Sequence, residues 1–440
     1  MLGNEGSLVD QLDLDLEEIE YLLFIRKSKP LSCKSDVSIR TNAKQSLQLK
    51  LRLEACNRVW QQILGSLPSS DDIEMFFMNL RKNELKSNQE KEKFVDYTSY
   101  KRALATCSEV LKNFLSAKAF MDLLEISSAK SEGLVSIFSI MDYVAIKKDK
   151  MRRMISLHYY DSEGKGFLSL KDLKQYIQQE ILPEIPSLAN LKEEEPELEE
   201  NYLCIAAQKF FFLLDTVGAR KIRIIDVVAS RLLEEFEILN DILSDDEESV
   251  ETEGKKSSAS NWFSKENCMR IINLYRRLDE DGNGLLSLSE MLNFQLISNA
   301  FIQRVFETSQ TYEKQEIDLK GFCDFLYAIE NRSDPSSISY HFRLMDVDGD
   351  NFLSCSDIEL FYRDIAKLFE DNFSDDSSLK APSYEIIKNE IFDMCNTRNS
   401  KGITLKELIA SGKGETVVGM LTNADAFFEY ENREDFVSKE

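Results

Sequence analysis

Oxygen-bearing side chains recur at alternating positions of one twelve-residue stretch, 279–290, in a chain of 440 residues. Positions one, three, five, seven, nine and twelve of this stretch are Asp279, Asp281, Asn283, Leu285, Ser287 and Glu290. Ca²⁺ takes about six to eight oxygen ligands in a flexible shell. The first three side chains offer oxygens, the leucine offers its carbonyl, the serine can hold a water, and the glutamate can chelate with both oxygens. The spacing therefore predicts a calcium site.

The residues around these ligands agree with this prediction. Gly284, at position six, permits the sharp turn that the loop needs, and Leu286, at position eight, would pair with a neighbouring loop in a short strand. Apolar residues at helical spacing lead into the loop and out of it, namely Ile271, Leu274, Tyr275 and Leu278 before it and Leu288, Met291, Leu292 and Leu296 after it. Every ligand position matches the EF-hand consensus, which is a helix–loop–helix motif.

A second stretch, 346–357, repeats the pattern less regularly. Its candidate ligands are Asp346, Asp348, Asp350, Phe352, Ser354 and Asp357. Asn351 stands at position six, where asparagine tolerates the left-handed conformation. Asp357 is one methylene shorter than glutamate, so its carboxylate reaches less far. Two interpretations stay open: a weaker Ca²⁺ site with some Mg²⁺ character, or an acidic structural turn that holds no metal.

Further copies keep the scaffold and lose ligands. In 161–172, Lys165 places a cation where an oxygen is required, and 215–226 lacks ligands at positions three and five. Fainter copies occupy 128–139, 310–321 and 396–407. The sequence thus contains up to seven such units. They predict an all-α protein of tandem EF-hand-like helix–loop–helix domains, with short β pairings between loops. A chain with many silent loops uses this fold mainly as a helical scaffold for interactions.

The composition changes along the chain suggest four regions. Residues 1–70 form a helical N-terminal region, with an amphipathic helix over 8–23, a linker, and a second helix from Leu49. Residues 71–243 form a first EF-hand-like domain with degenerate loops. An acidic, serine-rich linker follows at 244–260, and 261–440 form a second EF-hand domain that carries the calcium-binding loops.

The overall composition excludes several function classes. A net charge of −24 repels phosphate backbones and argues against nucleic-acid partners. Only His158 and His341 are available as near-neutral proton shuttles, and no P-loop, GxSxG or HExxH signature occurs, so we expect no enzyme. No apolar run is long enough to span a membrane, and the eight scattered cysteines are typical of a reduced, cytosolic or nuclear protein.

Two aromatic clusters have alternative interpretations. Phe210, Phe211 and Phe212 could dock a partner, but such a run is more often the core of a buried helix, which we favour. Trp262 and Phe263 follow the acidic linker. They could anchor a partner, or they could form a hydrophobic staple that opens the next helix. These two interpretations carry equal weight.

Several longer stretches, in order and with matching spacing, carry a family resemblance. They are FLSAK (114–118), YLCIAAQKFFFLLD (202–215), NWFS (261–264), LDEDGNG (278–284), DFLYAIENR (324–332) and EYENRE (429–434). In these stretches residues 95–435 resemble the B″ family of regulatory subunits of protein phosphatase 2A, in its gamma or TONNEAU2 (FASS)-like branch. The resemblance places Asp279, Asp281, Asn283 and Glu290 on the calcium loop of that family.

The resemblance implies a non-catalytic subunit that targets the phosphatase to phosphoprotein substrates. It implies docking on a HEAT-repeat scaffold subunit together with the catalytic subunit. It also implies microtubule or centrosomal partners, and a location in the cytoplasm or nucleus or on the cytoskeleton and centrosome. The alternative from another class is a stand-alone calcium-binding cytoskeletal or signalling adaptor, which phosphatase association would distinguish.

Overall fold

The computed structural model of the chain describes most of the residues after position 46. The described residues are 47–82, 85–86, 93–127, 132–194, 196–241, 261–292, 294, 296–308, 316–373, 380–397, 399 and 401–433. The helix expected over 8–23 and the acidic linker at 244–260 lie outside them, so both stay predictions. None of the described helices is long and apolar enough to cross a membrane.

The chain folds into two compact units, and the first comprises the described residues up to 176 together with 220–234. Its elements are α1 (Leu47–Gly65), α2 (Ser70–Lys82), β1 (Leu85–Lys86), β2 (Lys93–Asp96), α3 (Tyr97–Ala105), α4 (Glu109–Phe114), α5 (Ala117–Ile126), β3 (Leu134–Ser136), α6 (Ile137–Tyr160), β4 (Phe167–Ser169), α7 (Leu170–Tyr176), β5 (Lys221–Arg223) and α10 (Ile224–Ala229). β1, β2 and β3 form one antiparallel sheet, and β4 pairs with β5.

The second unit comprises 177–219 and the described residues from 235 onward. It begins with a π-helical turn (Ile177–Ile181) and a 3₁₀ turn (Leu182–Glu184). Its α-helices are α8 (Leu191–Glu194), α9 (Pro196–Leu214), α12 (Lys265–Leu278), α13 (Leu288–Met291), α14 (Asn299–Thr308), α15 (Leu319–Glu330), α16 (Pro335–Met345), α17 (Cys355–Phe373), α18 (Tyr384–Cys395), α19 (Leu405–Ala410), α20 (Gly414–Thr422) and α21 (Ala424–Glu431). Helix α11 (Leu232–Asp241) contains the boundary between residues 234 and 235.

The division into units differs from the domains expected from the sequence. The sequence places everything from 71 to 243 in one domain, whereas α9 groups with the C-terminal half. The packing explains this grouping, because α9 packs along α15 and α12. Its Gln208 Nε2 donates a hydrogen bond of 2.8 Å to Asp324 of α15. The acidic stretch 192–200 overlaps helix α8 and the beginning of helix α9.

Short antiparallel pairings join the loops in pairs, as the sequence predicts. Their central residues, each at position eight of its loop, are Leu168 with Ile222, Leu286 with Ile317, and Leu353 with Ile403. The last two are single bridges with backbone N–O distances between 2.8 and 3.1 Å. The all-α fold with paired helix–loop–helix units is therefore confirmed.

One further EF-like unit escaped the sequence analysis. Val135 of the faint copy at 128–139 pairs with Val95 in β2. This register makes 88–99 the partner loop, between helices α2 and α3. Residues 88–92 lie outside the described part of the chain. The stretch has Lys93 at position six, where the consensus has glycine, and Ser99 at position twelve, where it has glutamate, so a search for the calcium-loop consensus does not find it.

Aromatic side chains form much of the core of the second unit. Phe263 is fully buried, 4.0 Å from Phe236 and 5.8 Å from Phe210 between ring centroids. Trp262 is also buried and meets Tyr327 edge to face. The partner-anchor interpretation of this pair is therefore wrong, because the rings are inside the unit. Phe210 and Phe211 are buried as expected for core residues.

The helix after the first calcium loop is shorter than its apolar stripe predicts. α13 ends at Met291, and the next helix begins only at Asn299. Backbone hydrogen bonds explain the break: Ser298 N–H donates to Thr422 O (2.9 Å), and Ala424 N–H donates to Leu296 O (2.8 Å). The apolar residues at helical spacing over 288–296 therefore do not form one helix, because residues 296–298 pair through their backbone with residues 422–424.

Candidate metal site

Three carboxylates converge in the loop 279–290, directly after helix α12. One oxygen each from Asp279, Asp281 and Glu290 lies within 4.8 Å of the others. Asp281 is exposed and Glu290 is buried, so the group opens to solvent on one side. This arrangement offers a dehydrated cation several negatively charged oxygens and a path of entry.

Backbone N–H groups fix the first half of this loop. Asp279 accepts hydrogen bonds from the N–H groups of Asn283 (3.1 Å) and Gly284 (3.0 Å). Asn283 Oδ1 accepts from Leu285 N–H at 2.7 Å. Gly284 adopts a φ of +80°, which glycine reaches without steric cost. The glycine predicted to make the sharp turn therefore does so.

Glu290 closes the loop and begins helix α13. Its two oxygens accept hydrogen bonds from Glu280 N–H (2.9 Å), Ser287 N–H (2.7 Å) and the Ser287 hydroxyl (2.6 Å). Ser287 and Glu290 together form a capping box. Burial raises the pKa of Glu290, but the hydrogen bonds from Ser287 and from backbone groups outweigh burial and hold the pKa below its usual value. The carboxylate is thus ionised and aimed into the loop.

The donor set fits calcium rather than a softer metal. Carboxylate and amide oxygens from Asp279, Asp281, Asn283 and Glu290 are hard ligands, which Ca²⁺ and Mg²⁺ prefer. Sequence reasoning did not single out one more carboxylate, Glu316, which approaches Asn283 from the partner loop.

The second loop, 346–357, also brings three carboxylates together, but from positions one, three and five and not from position twelve. Oxygens of Asp346, Asp348 and Asp350 lie within 4.8 Å of one another, but Asp357 is not part of this group. Its carboxylate accepts from Ser354 N–H (2.9 Å), the Ser354 hydroxyl (2.6 Å) and Val347 N–H (3.2 Å), which are the same loop positions that donate to Glu290 in the first loop.

Other details of this loop follow the expected pattern. Asn351 adopts a φ of +65°, the left-handed conformation expected at position six. Phe352 N–H donates to Asp350 at 2.8 Å. Burial raises the pKa of Asp346 in spite of several backbone hydrogen bonds. The loop thus has the backbone of a metal-binding loop and a short side chain, Asp357, at position twelve.

In the loop 161–172, which lacks ligands, two lysine ammonium groups contact the side chain at ligand position three. Glu163, at position three, contacts the ammonium groups of Lys165 (2.9 Å) and of Lys221 from the partner loop (2.5 Å). Hydrogen bonds from Lys221 and then Lys165 lower the pKa of Glu163 to about 2. The ammonium groups of Lys165 and Lys221 supply positive charge where a calcium loop would hold the ion, and this charge favours the prediction that the loop does not bind calcium.

Both histidines are packed inside the protein. His158 stacks on Trp60 with ring centroids 4.0 Å apart, and burial lowers its pKa to about 4. His341 is fully buried against Phe301, with Nδ1 2.7 Å from Ser337 O. Neither ring faces a cluster of candidate ligands or nucleophiles among the described residues.

Comparison with known proteins agrees with this architecture. The RSA-1 C-terminal domain family matches residues 279–435, and an EF-hand domain family matches 149–241. The human B″ gamma regulatory subunit of serine/threonine-protein phosphatase 2A is 32% identical over 393 residues, which is 89% of this chain and 82% of the relative. The probable B″ subunit TON2 of Arabidopsis thaliana is 26% identical over 100% of this chain and 91% of its own length.

A solved assembly provides a comparison of the fold. A chain of a solved diCa PP2A PR70 holoenzyme is similar with a TM-score of 0.51 and 22% identity, covering 60% of this chain and 93% of that chain. At this identity the likeness supports the fold. The B″ gamma relatives are 32% identical and 82% of their length is covered, and this likeness shows the family: the chain belongs to the B″ family of protein phosphatase 2A regulatory subunits. The role of regulatory subunit expected from the sequence is confirmed at the level of the family.

Proposed function

We propose that this chain binds the scaffold and catalytic subunits of protein phosphatase 2A and directs that enzyme to phosphoprotein substrates. The observation that carries the proposal is the 32% identity to B″ gamma subunits, which extends over 89% of the chain. A likeness of this length includes both units and the calcium loop, so it is not a match of one EF-hand module alone.

The chain itself contributes no catalysis in this proposal. Burial keeps both imidazoles neutral near pH 7, since the pKa values of His158 and His341 are lowered to about 4. The convergent carboxylates of 279–290 are arranged as metal ligands at the ends of helices. The relatives are named regulatory subunits, which supports a non-catalytic role for this chain.

Calcium is the cofactor we assign to the loop 279–290. Asp279, Asp281, Asn283 and Glu290 would hold the ion with their side chains, and Leu285 with its carbonyl. Bound Ca²⁺ would neutralise the carboxylates and fix the angle between α12 and α13. Because the segment after α13 pairs with residues 422–424, this fixed angle would also steady the C-terminal helices α20 and α21.

Microtubule-organising or centrosomal proteins are the targets we propose, with a location in the cytoplasm, in the nucleus or at the centrosome. The support is the resemblance to the gamma and TONNEAU2 branch of the family. Imaging of the tagged chain in dividing cells tests this part by itself. A uniform signal that never concentrates at microtubule-organising centres would contradict it.

Co-elution on size exclusion tests the association with phosphatase. The purified chain is mixed with scaffold and catalytic subunits and run in Ca²⁺ and in chelator. We expect a ternary peak, with more complex in Ca²⁺ for the wild-type chain and no such difference for Glu290→Gln. If the chain elutes alone in both buffers while scaffold and catalytic subunits bind each other, the chain is a calcium-binding adaptor without phosphatase.

A further inference from the structure

A buried carboxylate from the partner loop faces the calcium loop. Glu316 is 8% exposed and lies one residue before Ile317, which pairs with Leu286 at position eight of the calcium loop. Its Oε1 lies 3.4 Å from Asn283 Nδ2, a long hydrogen bond. Among the described residues it forms no ion pair and no second hydrogen bond. A buried negative charge without a cationic partner is costly, so its position beside the candidate ligands calls for an explanation.

The corresponding position differs in two of the other pairs. Lys221 lies one residue before Ile222, and its ammonium group reaches Glu163 in the silent loop 161–172. Gly402 lies one residue before Ile403 and faces the loop 346–357. A Cβ on this glycine would come within 2.5 Å of Leu353 O, so no side chain fits there. At this position an acid faces the loop with a complete ligand set, a base faces the loop that lacks ligands, and the glycine offers no side chain to the loop with the short twelfth residue.

We propose that Glu316 is an outer-shell carboxylate of the calcium site in 279–290. Together with Asp281, which accepts from Asn283 Nδ2 at 3.0 Å, it holds the amide nitrogen and leaves the amide oxygen for the ion, and it adds a negative charge next to the three ligand carboxylates. It is not one of the converging ligand oxygens, since that group contains Asp279, Asp281 and Glu290. Outer-shell partners orient ligands and tune metal affinity in this way. The inference rests on the proposed calcium binding.

The charge of Glu316 can be separated from its contact by one substitution. In Glu316→Gln the amide oxygen still accepts from Asn283, while the negative charge is lost. Glu316→Lys places an ammonium group at the position that Lys221 occupies beside the loop 161–172. Glu415→Gln is the matched control, because it makes the same chemical change at an exposed residue of helix α20.

Calorimetric titration of Ca²⁺ into the full chain tests the proposal. The binding event that disappears in Glu290→Gln is assigned to 279–290. We expect Glu316→Gln to weaken this event about tenfold, since outer-shell changes cost about 10- to 100-fold in metal affinity. Glu316→Lys should remove the event, and Glu415→Gln should leave it unchanged. Thermal melting in chelator should show Glu316→Gln at least as stable as the wild type, because a buried charge has been removed.

Three results would overturn the proposal, and they are distinct. If Glu316→Gln binds Ca²⁺ as tightly as the wild type, Glu316 has no role at the ion, although calcium binding itself stands. If the wild type shows no event that Glu290→Gln removes, calcium binding by 279–290 fails, and the role of Glu316 fails with it. A Glu316→Gln chain that melts well below the wild type in chelator would mean that the residue serves the fold instead.

Discussion

Replacement of Glu290 by glutamine should uncouple calcium from the stability of the second unit. The wild-type carboxylate accepts three hydrogen bonds inside the loop, from Glu280 N–H and from both the N–H and the hydroxyl of Ser287. Glutamine has one acceptor oxygen, so one side of the loop faces an NH₂ group. Leaving a buried donor unpaired costs about 1–3 kcal/mol. The variant should therefore be somewhat less stable even in chelator.

The larger effect should appear when calcium is added. In the proposed site Glu290 is the position-twelve ligand, so its loss should weaken binding by at least about a hundredfold, the upper end of what outer-shell changes cost. At a calcium concentration of about 100 times the wild-type Kd, the ion stabilises the wild type by about 2.7 kcal/mol. The same concentration then only equals the Kd of the variant, and the gain falls to about 0.4 kcal/mol.

Circular dichroism melts in Ca²⁺ and in chelator measure this difference. One kcal/mol moves the Tm of a domain of about 150–250 residues by about 2–4 °C. The wild type should therefore gain about 5–10 °C from calcium and Glu290→Gln about 1 °C. Glu280→Gln is the matched control, because it makes the same change at position two, which supplies no ligand. Equal calcium shifts in the wild type and Glu290→Gln, or equal losses in both variants, would refute the assignment of ligands.

Three other substitutions test separate parts of the structure. Burial raises the pKa of Asp324 to about 7; its ordinary value is about 4, so the folded state holds the proton more tightly and stability falls as pH rises between these values. Asp324→Asn should remove this fall and raise the free energy of unfolding at pH 8 by up to about 4 kcal/mol. Urea unfolding at pH 5 and pH 8 measures it, and an equal change between the two pH values in the wild type and the variant would contradict the prediction. Phe263→Ala should lower the free energy of unfolding in urea by about 3–5 kcal/mol because the ring is fully buried; a loss below about 1 kcal/mol would contradict its place in the core. Asp357→Glu should let the twelfth side chain reach Asp346, Asp348 and Asp350 and strengthen a second calcium event about tenfold, whereas an unchanged titration would mean that 346–357 is a structural turn.

Much of the calcium site could be predicted because its information is local. Ligand types at fixed spacing, Gly284 at position six and the capping box of Ser287 with Glu290 all lie within twelve residues. The pairing of the loops also followed from the apolar residue at position eight. For the same reason the prediction that 161–172 binds no calcium rests on the sequence alone, since a cation at ligand position five, Lys165, needs no tertiary information.

What the sequence left hidden depends on contacts between distant residues. The break after Met291 arises from hydrogen bonds to 422–424, and the apolar periodicity of 288–296 gave no sign of it. The burial of Trp262 depends on Tyr327, and the place of α9 depends on α15. Glu316 could be found only once the pairing register was known, because its partner Asn283 is 33 residues away.

Native mass spectrometry of the chain with scaffold and catalytic subunits tests the central claim most directly. The same spectrum reads the composition of the complex and the number of calcium ions that it retains. The account predicts a ternary assembly with one copy of each subunit, which holds calcium at 279–290 and loses that ion in Glu290→Gln. A spectrum with the scaffold–catalytic pair and the free chain as separate species would contradict the proposed phosphatase association. A ternary assembly whose calcium content is the same for Glu290→Gln would contradict the assignment of the metal site.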